Sequence, residues 1–175
     1  MHNHLDAKKA LEAIVYVSHK TQNLFNIVKT LYFADIFHLE NYGVLITGDS
    51  YIAMEDGPVP SGAYDLIKLV RGDEFTYDSK IIDAHPENAI KVIKDGNETT
   101  VFPLREHNPD YLSESDIECL DKAIKLFAKM NTSKLWDIVH REEAYKKTII
   151  NKTMPLSEII LSLPNGKDVL EYLNS

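Results

Sequence analysis

Four side chains stand out as groups that could move a proton or hold a metal: Asp35, His38, Asp49 and His140. A carboxylate and an imidazole three residues apart share one face of a helix. Two histidines and a carboxylate would make a reasonable zinc triad if Asp35, His38 and His140 converged, and Asp49 could join them in acid/base chemistry. The sequence holds no His-Glu-x-x-His, no phosphate-cradling Gly-x-x-x-x-Gly-Lys, no Gly-x-Gly-x-x-Gly and no Gly-x-Ser-x-Gly elbow. Separation along the chain says nothing about distance, so the same residues can equally form a polar cluster that ties one helix to its neighbours. The expectation is that cluster, with no catalytic residue, metal or cofactor.

The segment carrying Asp35 and His38 has Leu24, Ile27, Val28 and Leu31 at helical spacing, with Phe25, Tyr32, Phe33, Ile36 and Leu39 on its flanks. A helix apolar on nearly all sides is a central, buried one. Extending the stripe from Leu31 by three, four and seven residues reaches Ala34, Asp35 and His38, so the two polar groups point inward. Left unpaired they would cost about 1–3 kcal/mol or more, and they should be bonded to each other, to backbone or to a polar partner. Asn41, Tyr42 and Gly43 stop this helix. Thr47 to Ser50 reads as a turn, and Tyr51 to Met54 as a strand or buried loop. Gly57, Pro58, Val59 and Pro60 read as a stiff corner. Ser61 then caps a helix with Ala63, Leu66, Ile67 and Val70 on one face, ended by Arg71 and Gly72.

Met1 to Leu5, with His2 and His4, is expected to be a loose end. Asp6 caps a first helix on which Ala7, Ala10, Leu11, Ile14 and Val15 share a face, and Thr21 and Gln22 separate it from the central helix. So short a connection suits a helix-turn-helix, but the second helix offers few basic side chains for a DNA groove. Beyond Gly72 the pattern turns extended through Ile81, Ile82 and Ala84. Ala89 to Ile93 and Thr99 to Phe102 then flank Asp95-Gly96 as a hairpin, with Asn97 and Glu98 pointing to a longer loop. Ser113 with Asp116 and Ser115 with Glu118 have capping spacing before the stripe Ile117, Leu120, Ile124 and Phe127. Thr132 or Ser133 can cap a helix with Leu135, Trp136, Val139 and His140 along one side. Pro155 and Asn165 open two short helices at the end.

The 175 residues, 44% hydrophobic and 26% charged, suit one domain over residues 1–175 with a real core. The fold class expected is α+β: mainly helical, with a small antiparallel sheet or hairpin. A formal charge of −8 argues against general nucleic-acid binding and favours a basic protein partner. Cys119 is the only cysteine, read as a core residue, so no internal disulfide can form. With no apolar signal core and no stretch long enough to span a bilayer, a cytoplasmic location is expected.

Tyr42-Gly43, Thr47-Gly48-Asp49, Tyr51, Ala53-Met54, Gly57-Pro58-Val59-Pro60 and Tyr64-Asp65-Leu66-Ile67-Lys68, following the central helix in this order, resemble the Panacea domain. This is the family of SocA-type antitoxins and of the phage-associated GepA proteins. The likeness is dense from Leu24 to Lys68 and resumes near Leu135 to Tyr145, where Tyr145 stands in place of the family's usual Trp. The resemblance implies a protein that neutralises a cognate toxin, encoded by the adjacent gene, through direct binding. In the SocA branch the antitoxin also presents the toxin to a AAA+ protease. Asp35, His38, Tyr42, Asp49, Tyr51, Gly57, Pro58, Val59, Pro60, Tyr64, Trp136 and His140 are the candidates for partner contact or for the structural motif. Contact is expected around Tyr42 to Tyr64, with Tyr42, Tyr51 and Tyr64 as aromatic anchors. Two alternatives stay open: a prophage or mobile-element protein that binds a host or defence protein, and a metal-dependent hydrolase.

Overall fold

The computed structural model describes residues 4–175; His2, part of the expected loose end, lies outside them. The His4 backbone and the Leu5 side chain are packed instead of loose. A Cβ on Gly48 would meet the His4 carbonyl oxygen at 2.2 Å and one on Gly62 would meet Leu5 at 2.3 Å, so both glycines admit this segment. Helix α1, Ala7–Ser18, starts where the Asp6 carboxylate accepts the Lys9 N–H at 3.0 Å. Helix α2, Leu24–Tyr42, is capped by Asn23 and ends at Gly43, which takes φ +73° and donates to the Leu39 carbonyl. It runs through the core as expected, with Ile27, Tyr32, Ala34 and Leu39 almost wholly buried.

Strand β1, Tyr51–Met54, pairs antiparallel with β2, Gly57–Pro60, with Tyr51 opposite Pro60 and Met54 opposite Gly57. The expected corner is therefore a strand. Its prolines cost no ladder bond because they face Tyr51 and Ala53, whose peptide groups are used on the other side. There the Ala53 N–H meets the Lys152 carbonyl at 3.0 Å, while Asn151 and Met154 donate to Ala53 and Tyr51. Helix α3, Ser61–Arg71, ends at Gly72 as expected, but Ser61 is its first residue, not its cap.

The chain from Ser79 to Asp83 forms a short helix, α4, where extended structure was expected; three apolar residues are too few to show a period. Strands β3, Ile90–Asp95, and β4, Glu98–Pro103, form the second hairpin, with Asp95 opposite Glu98. Its loop is the tightest form, not a longer one. Gly96 at φ +59° is its first residue and Asn97 keeps a negative φ, the pattern of a type II′ turn. β4 is bonded to the α1–α2 connection through the Val101 N–H and the Gln22 carbonyl, 2.8 Å apart.

Helix α5, Glu114–Ala123, carries the capping box of Ser113 and Asp116 and runs on as a wider π-helical turn through Ala128. The Asn26 amide donates to the Phe127 and Met130 carbonyls at the end of this turn, at 3.1 and 2.9 Å. Phe127 stacks on Phe33 of α2, ring centres 4.1 Å apart. Cys119 is buried on α5, and burial pushes its thiol up to about 11. Helix α6, Thr132–His140, is capped by Asn131, not by Thr132 or Ser133. Helices α7 (Glu143–Lys146), α8 (Leu156–Leu161) and α9 (Gly166–Asn174) complete the chain. The architecture is mainly helical with two small antiparallel sheets around one core. Among the described residues, no helix is long and apolar enough to cross a membrane.

Candidate functional site

The candidate residues fall into three separate places. In the first, Asp35 accepts the Ile46 N–H at 2.7 Å and the Tyr51 hydroxyl at 2.6 Å. Burial pushes the Asp35 carboxyl up to about 7 against the pull of both bonds. Tyr51 is only 2% exposed, and burial with the Asp35 charge raises its hydroxyl further, so it is a core residue and not a surface anchor. Asp49 accepts the N–H groups of Ser50, Gly62 and Ala63 at 2.7, 2.8 and 2.9 Å. It therefore caps α3 from twelve residues before Ser61, and burial raises its carboxyl against those three bonds. The cavity between these groups, about 10 Å³, is too small for a substrate.

The second place is the end of α2. The Nδ1–H of His38 donates to the Val44 carbonyl at 2.7 Å, and its Nε2 meets the Ser115 hydroxyl at 3.2 Å and Asp116 at 3.4 Å. His38 thus ties α2 to the start of α5, and Asp35 is not among its partners. The Tyr42 ring lies against His38, and its hydroxyl donates to Glu118 at 2.8 Å.

The third is the tip of the β1–β2 hairpin. Trp136 and His140, one helical turn apart on α6, stack at 3.5 Å. The Trp136 indole N–H donates to Asp56 at 3.1 Å, and His140 Nε2 meets the Glu55 carbonyl at 2.8 Å. The Tyr145 hydroxyl donates to the Met54 carbonyl at 2.8 Å, so Tyr145 serves here through its hydroxyl as well as its ring. Asp35, His38 and His140 have no common partner, neither as a zinc triad nor as one polar cluster. Among the described residues, no group of three or more His, Cys, Asp or Glu side chains is placed to hold a metal ion.

Beside this tip runs a groove of about 530 Å³. It is lined by Glu55 and Asp56 of this hairpin, Asn97 and Glu98 of the other, Phe25, Val28 and Lys29 of α2, and Tyr64 and Arg71 of α3. Arg71 is fixed by Asp73 at 2.5 and 2.8 Å and by Thr99 at 3.1 Å, and it donates to the Tyr64 hydroxyl at 3.2 Å. Gly57 is required twice over: its φ is +101°, and a Cβ would meet Val139 at 2.7 Å and Lys29 Nζ at 3.3 Å. Gly57, Pro58, Val59, Tyr64, Trp136 and His140 are thus brought to this groove or to the hairpin that walls it.

The group that sequence reasoning missed is Lys29. It is 0% exposed, yet among the described residues its ammonium makes one hydrogen bond, to the Pro58 carbonyl at 2.8 Å, with the Phe25 ring centre 5.2 Å away. Burial pushes its pKa down to about 7, against the charge of Asp56. The signal was present: Phe25, Lys29, Tyr32 and Ile36 recur at steps of four, three and four, a lysine inside an otherwise apolar stripe.

A family model described as antitoxin SocA-like, Panacea domain, matches residues 27–146, from the first third of α2 to the end of α7. No curated protein and no solved structure matches the chain.

Proposed function

This chain belongs to the SocA-like antitoxin family of Panacea domains, and from that premise we propose that it neutralises a cognate toxin by direct, stoichiometric binding in the cytoplasm. The family match is the observation that carries this reading. The toxin, encoded by the adjacent gene, contacts the groove between the two hairpin tips. Most of the groove lies inside the matched span; a half-buried Tyr64 lines it, and Trp136, 41% exposed, is bonded to Asp56 of its lining. Both belong to the residue types that anchor interfaces. The hairpin wall is stiffened by Pro58 and Pro60 and gripped by Trp136, His140 and Tyr145, so little ordering is required on binding. The chain works as one domain and as a binding protein, not as an enzyme.

Co-expression with the product of the adjacent gene tests this. Rescue of growth together with co-purification of a stoichiometric complex is expected. Toxicity that persists in the presence of this protein, with no complex, overturns it. Rescue that vanishes when a AAA+ protease is deleted would show delivery of the toxin to that protease, the adaptor mode of the same binding.

A further inference from the structure

Each strand has one edge turned away from its hairpin partner, and on three of them that edge is used. β1 is met by Asn151 to Met154, which bond to Tyr51 and Ala53. The edge of β2 offers no N–H, since Pro58 and Pro60 have none, and the Pro58 carbonyl takes Lys29. β4 is met by the α1–α2 connection, where Val101 donates to Gln22 and Asn23 bridges to Thr100. Because the Val101 N–H points out of the hairpin, Val92 opposite it points out as well, and the period of two extends this to Lys94. A two-residue turn is closed by a bonded pair, Asp95 and Glu98, which gives the same alternation. The N–H and C=O groups of Val92 and Lys94 thus face outward from β3, and none of them has a hydrogen-bond partner among the described residues. Lys94 is exposed and Val92 half-buried, so this edge reaches solvent. A row of unpaired strand groups is a template for another strand. On the face turned from the core lie Lys91, Ile93 and Asp95, with Ile93 43% exposed and diagonal to Phe102, 39% exposed.

We propose that β3 pairs with β3 of a second copy of this chain, antiparallel about a two-fold axis at Ile93, joining the two-stranded sheets of both copies into one. Such a pairing sets outward-bonding residues opposite each other, which confines the axis to a residue instead of the gap between two. An axis at Lys91 or at Lys94 would face a lysine with its own copy, and one at Val92 would face Lys91 with Ile93. With the axis at Ile93, Lys91 lies opposite Asp95 of the second copy, and Asp95 opposite its Lys91, on either side of an Ile93 pair. These are the non-bonded positions, where side chains come closest. Val92 and Lys94 then exchange N–H and C=O with Lys94 and Val92 of the second copy, so each free group gains a partner. The chain carries a formal charge of −8 and two copies repel, but β3, with two lysines against one carboxylate, lets them approach. Because Lys94 also lines the groove, the pairing places both grooves close to the axis. This pairing does not depend on the antitoxin reading.

Sedimentation of the full chain at concentrations up to about 0.5 mM, with amide hydrogen exchange along β3, tests the pairing. A reversible monomer–dimer equilibrium is expected, with the Val92 and Lys94 amides slowed as the dimer fills. Lys91→Asp and Asp95→Lys, each shown to be folded by circular dichroism, should weaken the dimer by about tenfold or more, because each turns both charge pairs into like pairs. The double swap Lys91→Asp/Asp95→Lys should restore it to within about threefold of wild type. Lys94→Pro removes an N–H that the fold itself leaves unused and should also weaken the dimer by about tenfold or more. A chain that stays monomeric at about 0.5 mM, a dimer indifferent to the single changes or to Lys94→Pro, or a double swap that restores nothing overturns the proposal. So does a monomer whose Val92 and Lys94 amides are slowed only by the adjacent gene product, which would assign the edge to that protein.

Discussion

Asp35 and Asp49 in the core and Lys29 beneath the groove are buried to similar depth but are provided for unequally. Asp35 and Asp49 accept from the backbone N–H groups of Ile46, Ser50, Gly62 and Ala63 and from the Tyr51 hydroxyl. The lysine, with three donors, has one acceptor among the described residues. A saturated buried group explains itself by the elements it joins: Asp49 holds α3 to the turn before β1, and Asp35 holds α2 to both ends of the segment from Ile46 to Tyr51. A buried cation with one bond joins little that an apolar side chain could not hold as well. Burial alone therefore does not separate architecture from function; the degree to which each buried group is satisfied does.

The largest effect should come from Asp49→Ala, which leaves three N–H groups without their acceptor. A loss of roughly 4 kcal/mol in urea unfolding is expected, with Asp49→Asn recovering part of it. A loss below about 1 kcal/mol would mean that the loop supplies another acceptor, and the core would no longer differ from the groove.

Lys29→Met should move stability the other way, by on the order of 3 kcal/mol at pH 7. Lys29 has its pKa depressed from 10.5 to about 7 in the fold. Its contribution is therefore present above about 10.5 and is lost as pH falls toward about 7. Wild type should gain stability from this group between those values, and the Met variant should not. A more stable variant that binds the toxin more weakly would mark Lys29 as held for function. A more stable variant that binds equally well would sink that view.

Asp35→Ala should cost roughly 2 kcal/mol by stranding the Ile46 N–H and the Tyr51 hydroxyl. The Asp35 carboxyl is raised from 3.8 to about 7, so its contribution is present below about 3.8 and is lost as pH rises to about 7. Asp35→Asn should flatten that part of the profile, as thermal melts across the range would show. Unchanged slope in the Asn variant would assign the pH dependence to another group.

The smallest effect on stability should belong to Trp136→Ala, at or below about 1 kcal/mol for a half-exposed ring. Its effect on toxin affinity should be about tenfold or more. Calorimetry on the folded variant separates the two, and full affinity in its absence would move the contact surface away from the hairpin tip.

Much of the helical frame was legible because its signals act over one turn. Asp6 reaches the third N–H of α1, Gly43 alone can take the left-handed turn that ends α2 cheaply, and Ser113 with Asp116 closes a local box. The inward direction of Asp35 and His38 was legible for the same reason, being fixed by spacing from Leu31. Their partners were not. Whether the Tyr51 ring meets a partner or fills the core is not legible, because short apolar runs do not reveal which side is covered. Gly57 to Pro60 reads as a corner because the fit of its prolines in a strand depends on Asn151 to Met154, nearly a hundred residues later.

The sequence by itself determined where most helices begin and end, which faces are apolar and to which family the chain is similar, since these follow from contacts three or four residues apart and from short ordered motifs. Only the tertiary structure decided that Asp49 rather than Ser61 caps α3 and that His38 and His140 serve different joints. It also decided that Lys29 lies beneath a groove with a single acceptor. Each of these depends on which oxygen or nitrogen arrives from a distant part of the chain, and a buried polar group takes its character from that arrival.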